Sequence, residues 1–391
     1  MNAIRLGVIG IGNMGSEHCR NILSGRTPGI RLAAVADLRA ARREWAAGNL
    51  PDGTAVFGSG SDLIRSRCCD AVLIAAPHGA HEPLAVEALR AGLDVLCEKP
   101  MAVTARQAER MLDAARDTGR TLALMFNQRT NCAYRAVKDA LARGELGRIK
   151  RVVWIVTDWY RSQRYYDSGA WRATWRGEGG GVLLNQCPHQ LDLLVWLCGM
   201  PVAVQAHCGE GKWHRIEVED DVTAYLEFDG GATGVFIAST GDYPGTNRLE
   251  ISGERGKLVC ENGGIRLWQL PESERELCFS TDDPWPHPPV QELALPTDGR
   301  NEQHCGVLNA FAGHLLRGEP LVAAAEDGLN AVRLSNAIHL SAWTGERIEL
   351  PADEERFESL LAERVRRSEG KRGGDATYDT DHRGTGASVK G

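Results

Sequence analysis

Short apolar runs alternate with helix-like segments through the first third of the chain. Residues 4–9, 70–77 and 94–97 are largely apolar without internal polar alternation, and segments 80–91 and 104–118 are helix-like. Strands without polar alternation are typical of a parallel sheet that is covered on both faces. The pattern therefore predicts a doubly wound α/β domain at the start of the chain.

From residue 149 onwards the pattern changes to short strands separated by tight turns. Glycine-containing turns at 229–231 and 253–256 indicate that the strands around them are antiparallel neighbours in one sheet. The predicted strands cover residues 151–158, 221–228, 232–240, 247–252, 257–260 and 265–270. Two late helices are predicted near 302–317 and 326–343.

Length, charge and cysteine usage narrow the class of protein. A chain of 391 residues can hold two domains, each with its own core. A net charge of −7 without a concentrated basic stripe argues against nucleic-acid and acidic-membrane partners. No signal-like segment opens the chain and no apolar run could span a bilayer, so we expect a cytoplasmic protein. The 11 cysteines include no C-x-x-C pair, and neither they nor the histidines and acids have metal-ligand spacing, so we expect reduced thiols and no metal.

A glycine motif lies between the first predicted strand and the first helix. Gly10, Gly12 and Gly15 follow the spacing G-x-G-x-x-G. The first glycine permits a tight turn, the second lets the backbone approach a pyrophosphate, and the third packs the helix against the strand. The helix that follows starts with Asn13 and Met14, and its N–H groups would face the phosphates. Strand, glycines and helix together predict a dinucleotide-binding site.

The acid at the end of the second predicted strand bears on the choice of cofactor. Asp37 lies about twenty residues after the glycines, where a carboxylate accepts hydrogen bonds from an adenosine ribose and repels a 2′-phosphate. We therefore predict NAD as the cofactor. NADP is the alternative cofactor, because three arginines follow closely, Arg39, Arg42 and Arg43.

Polar residues follow two of the buried strands, at the sheet edge where ligands of parallel sheets bind. Pro77, His78 and His81 follow one strand, and the two histidines would either cap the next helix or line the nicotinamide pocket. Glu98 and Lys99 follow the other. A partly buried lysine at this position can have a lowered pKa and contact both ribose and substrate. The alternative is a surface lysine that pairs with Glu98.

Three consecutive glycines at 179–181 lead into an apolar, helix-compatible segment. The glycines remove side chains where two backbones, or a backbone and a ligand, come close. On one continuous helix Asn185, His189 and Asp192 would lie at i, i+4 and i+7 and share a face. The segment is therefore a candidate site for proton transfer. The alternative is a core histidine held by a neighbouring acid.

These motifs together resemble the Gfo/Idh/MocA oxidoreductases over nearly the whole chain to about residue 351. The resemblance rests on the glycine motif, on Glu98-Lys99-Pro100, on the Gly-Glu-Leu-Gly-x-Ile junction at 144–149, and on the Gly-Gly-Gly…His189-x-x-Asp192 segment. Among the family's members, those that act on sugars, such as levoglucosan dehydrogenase, look most similar.

The resemblance implies an α/β fold with an N-terminal Rossmann domain and a C-terminal α/β domain built on a large, mostly antiparallel open sheet. We assign residues 1–127 to the first domain and 128–351 to the second. Residues 352–391 form a C-terminal extension, predicted to be disordered from about residue 370 because almost nothing there is apolar. The open sheet commonly mediates homodimers or homotetramers in such proteins.

The resemblance also implies that Lys99 and His189 meet across the cleft between the domains. The main hypothesis is that NAD oxidises a secondary ring hydroxyl of a sugar, glycoside or cyclic polyol, with His189 accepting the hydroxyl proton and Lys99 holding the oxygen. Many relatives carry aspartate where this chain has Asn185, which can orient a hydroxyl but cannot take a proton. Candidates for the wall of a sugar site, each of which could instead be a core or interface residue, are Arg129, Tyr160, Arg161, Trp171 and Trp175.

The sequence is also compatible with two other functions. Some relatives use NAD transiently, so that oxidation of a sugar permits elimination across its glycosidic bond, and such a protein would be a hydrolase that forms no net NADH. A dinucleotide-binding sensor or scaffold without activity is the third hypothesis.

Overall fold

The computed structural model describes residues 3–371 and shows a parallel sheet in the first third of the chain. Its strands pair in the order β3-β2-β1-β4-β5-β6, all parallel, which is the order of a dinucleotide-binding fold. The strands are β1 Ile4–Ile9, β2 Ile30–Ala36, β3 Ala55–Phe57, β4 Ala71–Ile74, β5 Asp94–Cys97 and β6 Leu122–Leu124. The predicted doubly wound domain is confirmed.

Helices connect these strands on both faces of the sheet. They are α1 Asn13–Leu23, α2 Ala40–Asn49, α3 Gly60–Arg65, α4 His81–Arg90 and α5 Ala105–Thr118. The start of α5 shows why the chain turns helical there, because the Thr104 hydroxyl accepts a hydrogen bond from Gln107 N–H and the Gln107 side-chain oxygen accepts one from Thr104 N–H. Gly119 then ends this helix with a φ of +64°.

The second sheet has nine strands, in the order β14-β13-β12-β11-β7-β10-β9-β8-β15. Among the strands described, only β7 and β10 of this sheet pair in parallel, so the predicted mostly antiparallel sheet is confirmed. The strands are β7 Ile149–Val156, β8 Ala203–Glu210, β9 Glu219–Glu227, β10 Thr233–Ser239, β11 Asn247–Gly253, β12 Gly256–Glu261, β13 Gly264–Gln269, β14 Gln291–Ala294 and β15 Ile348–Glu349. The strands β8, β14 and β15 were not predicted from the sequence.

Seven more helices complete the described part of the chain. They are α6 Cys132–Ala142, α7 Gln163–Tyr166, α8 Pro188–Cys198, α9 Glu274–Ser280, α10 Gln303–Arg317, α11 Ala325–Thr344 and α12 Glu354–Arg367. The helices α10 and α11 match the two late helices predicted. Over residues 3–371 none of the helices combines the length and the apolarity needed to cross a bilayer.

The last long helices pack on both domains. From α10, Leu308 and Phe311 join a core with Leu6 and Val8 of β1. The helix α11 lies where the nucleotide-binding domain meets the nine-stranded sheet. The chain therefore returns to the first domain after building the second.

The C-terminal extension is ordered as far as residue 371. Phe357 and Leu361 of α12 are buried, and the Ser368 hydroxyl donates to the Glu217 carboxylate at 2.6 Å. The Gly370 N–H also donates to Glu217, and the Lys371 ammonium donates to the Tyr166 carbonyl. The disorder predicted from about residue 370 therefore concerns residues 372–391, which lie outside the described residues.

Candidate active site

The glycine motif forms a tight turn that leaves open space at one position. Gly10 has a φ of +87°, and a Cβ on it would lie 2.7 Å from the Ala75 oxygen. A Cβ on Gly15 would lie 1.8 Å from the Gly10 oxygen, so helix and turn touch backbone to backbone. A Cβ on Gly12 would meet only the Arg39 guanidinium, at 3.6 Å. The space beside Gly12, at the N-terminus of α1, fits the pyrophosphate of a dinucleotide.

Asp37 lies at the end of β2, next to this turn. Its Oδ2 accepts a hydrogen bond from Ile11 N–H at 3.0 Å, and its Oδ1 accepts one from Arg39 N–H at 2.9 Å. The Arg39 guanidinium lies 3.2 Å from the same carboxylate. Arg42 donates to the Ile11 carbonyl, and Arg43 donates to the backbone at the end of β2. The carboxylate therefore lies beside the glycine turn, and its contact with a ribose stays a prediction.

Glu98 pairs with a histidine of α1 rather than with Lys99. Its Oε1 lies 2.6 Å from His18 Nε2, and both side chains are buried. Burial opposes ionisation of Glu98, but the hydrogen bond and charge of His18, together with His304 and Lys99, lower its pKa to about 2. The proposed surface pair between Lys99 and Glu98 is wrong.

Lys99 reaches into the second domain instead. Its ammonium donates a 2.6 Å hydrogen bond to the backbone carbonyl of Asn185. Burial lowers the pKa of Lys99, Arg172 and Arg161 lower it further, and Glu98 and Glu178 oppose them. The residue is therefore partly buried, at the C-terminal edge of the parallel sheet, with its side chain directed to the turn before α8.

The segment before His189 is a turn and not a helix. The helix α8 begins at Pro188, whose missing N–H suits a first helical position, and the preceding Cys187 has φ −98° and ψ 6°. The prediction that Asn185 shares a continuous helix face with His189 and Asp192 is therefore wrong. Asn185 is fixed by its own contacts, through Lys99 on its backbone and Glu178 on its amide.

A buried carboxylate holds the glycine-rich turn in shape. Glu219 accepts hydrogen bonds from the N–H groups of Gly181 at 2.8 Å and Leu183 at 3.0 Å. A Cβ on Gly181 would lie 1.9 Å from the Glu219 backbone oxygen. The predicted close approach of two backbones at these glycines is confirmed at this residue.

His189 is buried at the start of α8, with its ring edge-to-face with Phe126 at 6.1 Å. Its Nδ1 is buried and has no hydrogen-bond partner within the described residues. Burial lowers the pKa of His189 well below its ordinary value, and Lys99 and His304 lower it further against the opposing charge of Glu98. The ring is therefore neutral at pH 7 and able to accept a proton.

His78 and His81 do not cap the helix that follows them. His81 is buried, with Nδ1 2.8 Å from the Pro100 carbonyl and Nε2 2.8 Å from the Ala76 carbonyl. His78 Nδ1 lies 3.1 Å from the Glu178 carbonyl, so this histidine is a second link from the strand ends to the glycine-led segment. The capping role is thus excluded, and contact with the nicotinamide stays a prediction.

Arg129 is a buried structural residue rather than part of a sugar wall. Its guanidinium binds Asp192 through two hydrogen bonds, of 2.6 and 2.9 Å, and also donates to Asp327 at 3.0 Å. Burial lowers the pKa of Arg129, but Asp192 and Asp327 outweigh that effect and raise it above its ordinary value. The network ties the helix that carries His189 to the end of the nucleotide-binding domain and to α11.

The other aromatic candidates separate into two groups. Trp175 is 5% exposed and packs on His339 and Trp343 in the core, so it does not line a site. Trp171 packs edge-to-face on His78, with ring centroids 5.5 Å apart. Tyr160 is 46% exposed, and the guanidinium of the neighbouring Arg161 lies over aromatic rings. These three remain candidates for contact with a substrate.

Two functional candidates were missed in the sequence. Glu178 is 2% exposed, and its carboxylate accepts a hydrogen bond from the Asn185 amide. Arg172 lies over the Tyr165 and Trp171 rings and donates to the Tyr165 hydroxyl. The available signal was an acid directly before three glycines, at a place where no charge is expected to be buried. In residues 3–371 no three histidines, cysteines or acids converge as a metal site requires.

Two family models match the chain, one in each of the two domains. A model described as oxidoreductase family, NAD-binding Rossmann fold, matches residues 4–126, and the GFO/IDH/MocA C-terminal domain matches residues 134–259. A 1,5-anhydro-D-fructose reductase of Ensifer adhaerens is 30% identical over 299 residues, 74% of this chain and 82% of that protein. Inositol 2-dehydrogenase 2 of Paenarthrobacter aurescens is 28% identical over 348 residues, 86% of this chain and 95% of that protein.

Solved structures agree with these matches. The WlbA dehydrogenase from Bordetella pertussis, in complex with NADH and UDP-GlcNAcA, has a TM-score of 0.77 and 29% identity, covering 90% of this chain and 100% of that one. A levoglucosan dehydrogenase in complex with NADH and levoglucosan has a TM-score of 0.74 over 90% of this chain and 100% of that one, and at 21% identity it shows the same fold. The chain therefore belongs to the Gfo/Idh/MocA oxidoreductases and is an enzyme of the sugar and polyol dehydrogenase type with an NAD-binding Rossmann domain.

Proposed function

We propose that the enzyme transfers a hydride between NAD and a secondary ring hydroxyl of a sugar, a glycoside or a cyclic polyol. The observation that carries this proposal is the hydrogen bond from Lys99 to the Asn185 backbone, because it brings an ammonium group to the turn that leads into His189. The activities named for the relatives, on an inositol and on an anhydrosugar, support this class of substrate.

The residues for the cofactor are those of the glycine turn and the strand ends. When bound, NAD supplies the hydride acceptor, and the protein supplies its placement and electrostatics. Gly12 leaves room for the pyrophosphate, and the Asp37 carboxylate would accept hydrogen bonds from the ribose hydroxyls. The complete set proposed for cofactor contact is Gly10, Gly12, Asn13, Met14, Gly15, Asp37, Pro77, His78, His81, Glu98 and Lys99.

The proton of the reacting hydroxyl would pass to His189. Its ring is neutral at pH 7, because burial and the Lys99 charge keep its pKa low, and Nε2 would accept the proton, since Nδ1 is buried. Lys99 would donate a hydrogen bond to the substrate oxygen, where negative charge develops as the proton leaves. Asn185 would orient the hydroxyl, and Tyr160, Arg161 and Trp171 would contact the rest of the sugar ring.

The test is the absorbance of reduced nicotinamide with the purified enzyme. NAD or NADP would be offered with a panel of inositols, free hexoses, alkyl glycosides and anhydrosugars. We expect steady NADH formation with one substrate class and its loss in His189→Ala. Trp175→Phe is a matched control, because Trp175 lies in the same domain but packs in the core.

Two other outcomes would overturn the proposal. Release of free sugar from a glycoside without net NADH would indicate the redox-assisted hydrolase. Tight cofactor binding without turnover on any member of the panel would favour a sensor.

The proposal also covers the oligomeric state of the enzyme and its cellular compartment. Helices α8 and α11 cover one face of the nine-stranded sheet, whereas Tyr225 of β9 is 43% exposed on the other face, so we propose a homodimer or homotetramer through that face. A monomeric mass in analytical ultracentrifugation would contradict it. All 11 cysteines are free thiols, which supports a reducing, cytoplasmic location.

A further inference from the structure

We propose that Glu178 is a positioning residue, which turns the Asn185 side chain so that its amide carbonyl faces the reacting hydroxyl. This inference rests on the proposed function, because it assigns a task to Asn185 within that site. Nothing in the glycine motif or in the Lys99 and His189 pair requires a buried acid at position 178.

The contacts of Glu178 fix it from several sides. One carboxylate oxygen accepts a hydrogen bond from the Asn185 amide nitrogen, and the other accepts one from Ala173 N–H at 2.5 Å. The backbone carbonyl of Glu178 lies 3.1 Å from His78 Nδ1. With 2% of its surface exposed, the residue has little freedom to move.

The donor and acceptor groups of the two side chains determine which end of the Asn185 amide faces Glu178. An ionised carboxylate only accepts hydrogen bonds, whereas an amide has one donor end and one acceptor end. The donor end must therefore face Glu178, which leaves Oδ1 for another partner. Within residues 3–371 no group donates a hydrogen bond to Oδ1 of Asn185, so this oxygen is available to the substrate.

Each carboxylate oxygen of Glu178 accepts a hydrogen bond from an N–H group, and the nearby Arg172 also favours the ionised form. Burial, with a smaller contribution from Glu219, outweighs these groups and raises the pKa of Glu178 above its ordinary value. The Lys99 ammonium lies on the other side of Asn185, against its backbone carbonyl. A hydroxyl held here would accept a hydrogen bond from Lys99. Its single proton would lie between Oδ1 of Asn185, which orients it, and His189, which takes it.

This arrangement gives the amide of Asn185 the role of an acceptor. The carboxyl group lies one hydrogen bond outward, at Glu178, and the atom presented to the substrate is the amide oxygen. The carboxylate and the amide should therefore be exchangeable between positions 178 and 185. When Glu178→Gln and Asn185→Asp are combined, the new amide at position 178 could donate to the new carboxylate at position 185, which reverses the direction of the present hydrogen bond.

The experiment compares the wild type, Glu178→Gln, Asn185→Asp and the double variant, using the substrate found with the panel above. In Glu178→Gln the Ala173 N–H holds the new amide oxygen, so the new NH2 group faces Asn185 and draws Oδ1 of Asn185 away from the substrate. We expect kcat/KM to fall roughly ten- to a hundredfold, the range of one hydrogen bond to a charged group. The Kd for NAD should not change. Glu217→Gln is the control, since Glu217 also accepts backbone N–H groups but does not contact Asn185.

The pH profile separates positioning from a merely structural role. Asn185→Asp brings two carboxylates into hydrogen-bond contact, so one proton is shared and the second ionisation moves towards neutral pH. Activity should then fall as pH rises through that ionisation. The double variant has one carboxylate again, and we expect it to recover most of the lost kcat/KM and the wild-type pH profile.

Three results would decide the matter against Glu178. The proposal fails if Glu178→Gln matches the wild type, or if the double variant is no better than the worse single variant while its melting temperature is normal. A wild type that binds NAD but turns over no sugar would instead overturn the proposed function, and this inference with it.

Discussion

The ammonium of Lys99 donates a 2.6 Å hydrogen bond to the backbone carbonyl of Asn185, 86 positions further along the chain. This bond joins the C-terminal edge of the parallel sheet to the turn before α8. The same nitrogen is proposed to bind the reacting oxygen, so the groups that hold the two domains together and the groups proposed for chemistry overlap.

Replacing Lys99 should lower activity far more than cofactor binding, because Lys99 is one of many proposed cofactor contacts but the proposed donor to the reacting oxygen. For Lys99→Met we expect kcat to fall about a hundred- to a thousandfold, the range seen when one donor to a developing oxyanion is lost. Stopped-flow and steady-state NADH absorbance would measure it. Lys99→Arg is the matched control, because it keeps the charge but changes the donor geometry, and it should be intermediate. Unchanged turnover in Lys99→Ala would defeat the proposed chemistry.

On the acid side of the pH–activity profile, the pKa that controls activity should lie below the ordinary histidine pKa of 6.5. The reason is that burial and the charge of Lys99 lower the pKa of His189. His189 must be neutral to accept a proton, so activity should be lost as pH falls through this lowered pKa. Removing the Lys99 charge should raise the His189 pKa towards 6.5. Titration of the ring by NMR in the wild type and in Lys99→Met would test the shift. A His189 pKa that is the same in both proteins would contradict the coupling.

Asp37 should determine the choice between NAD and NADP. Removing its charge removes the repulsion of a 2′-phosphate, and the Arg39 guanidinium, 3.2 Å from the carboxylate, places a positive charge beside that position. For Asp37→Ala we expect the ratio of kcat/KM for NADP over NAD to rise by roughly ten- to a hundredfold, consistent with one charge-assisted hydrogen bond. Asp37→Asn keeps an acceptor for Ile11 N–H, so it separates loss of charge from damage to the glycine turn.

The buried ion pair of Arg129 should contribute to folding. Arg129→Met leaves the Asp192 carboxylate buried without its partner, and we expect the free energy of unfolding to fall by about 3–5 kcal/mol. Chemical denaturation would measure the change. Arg116→Ala is the control, because its pair with Asp113 is exposed and should contribute about 1 kcal/mol or less. Similar losses in both variants would contradict the assignment of Arg129 to a structural role.

The fold could be predicted where local pattern decides the structure. The apolar strands, the glycine turn and the two late helices follow from hydrophobic spacing and turn chemistry, and their bounds agree closely with the structure. The strand β8 was missed because its second half is mostly exposed, so that it lacks a continuous apolar pattern. Its place depends on pairing with β9 and on packing against α11, which no local window contains.

The candidate site residues were selected from the sequence, but their contacts could not be predicted from it. Lys99 and His189 were selected from the segments that carry them, and a resemblance implied that they meet, whereas the contacts of Arg129 depend on Asp192, which lies 63 positions away. Helical spacing suggested a shared face for Asn185 and His189, but Pro188 starts the helix between them. Glu178 was missed because a charged residue beside glycines usually indicates a solvated turn, and its burial follows only from the two domains closing over it.

The placement of α11 has a consequence for how the molecule unfolds. Leu329 and Val332 of this helix belong to the core of the nucleotide-binding domain, while Leu334 and Ile338 belong to the core beneath the nine-stranded sheet. Since one rigid helix completes both cores, neither can melt without exposing apolar surface of the other. Calorimetry should therefore show one cooperative transition for the two domains. A fragment that ends after residue 127 would lack this helix and should not survive as an autonomous NAD-binding module.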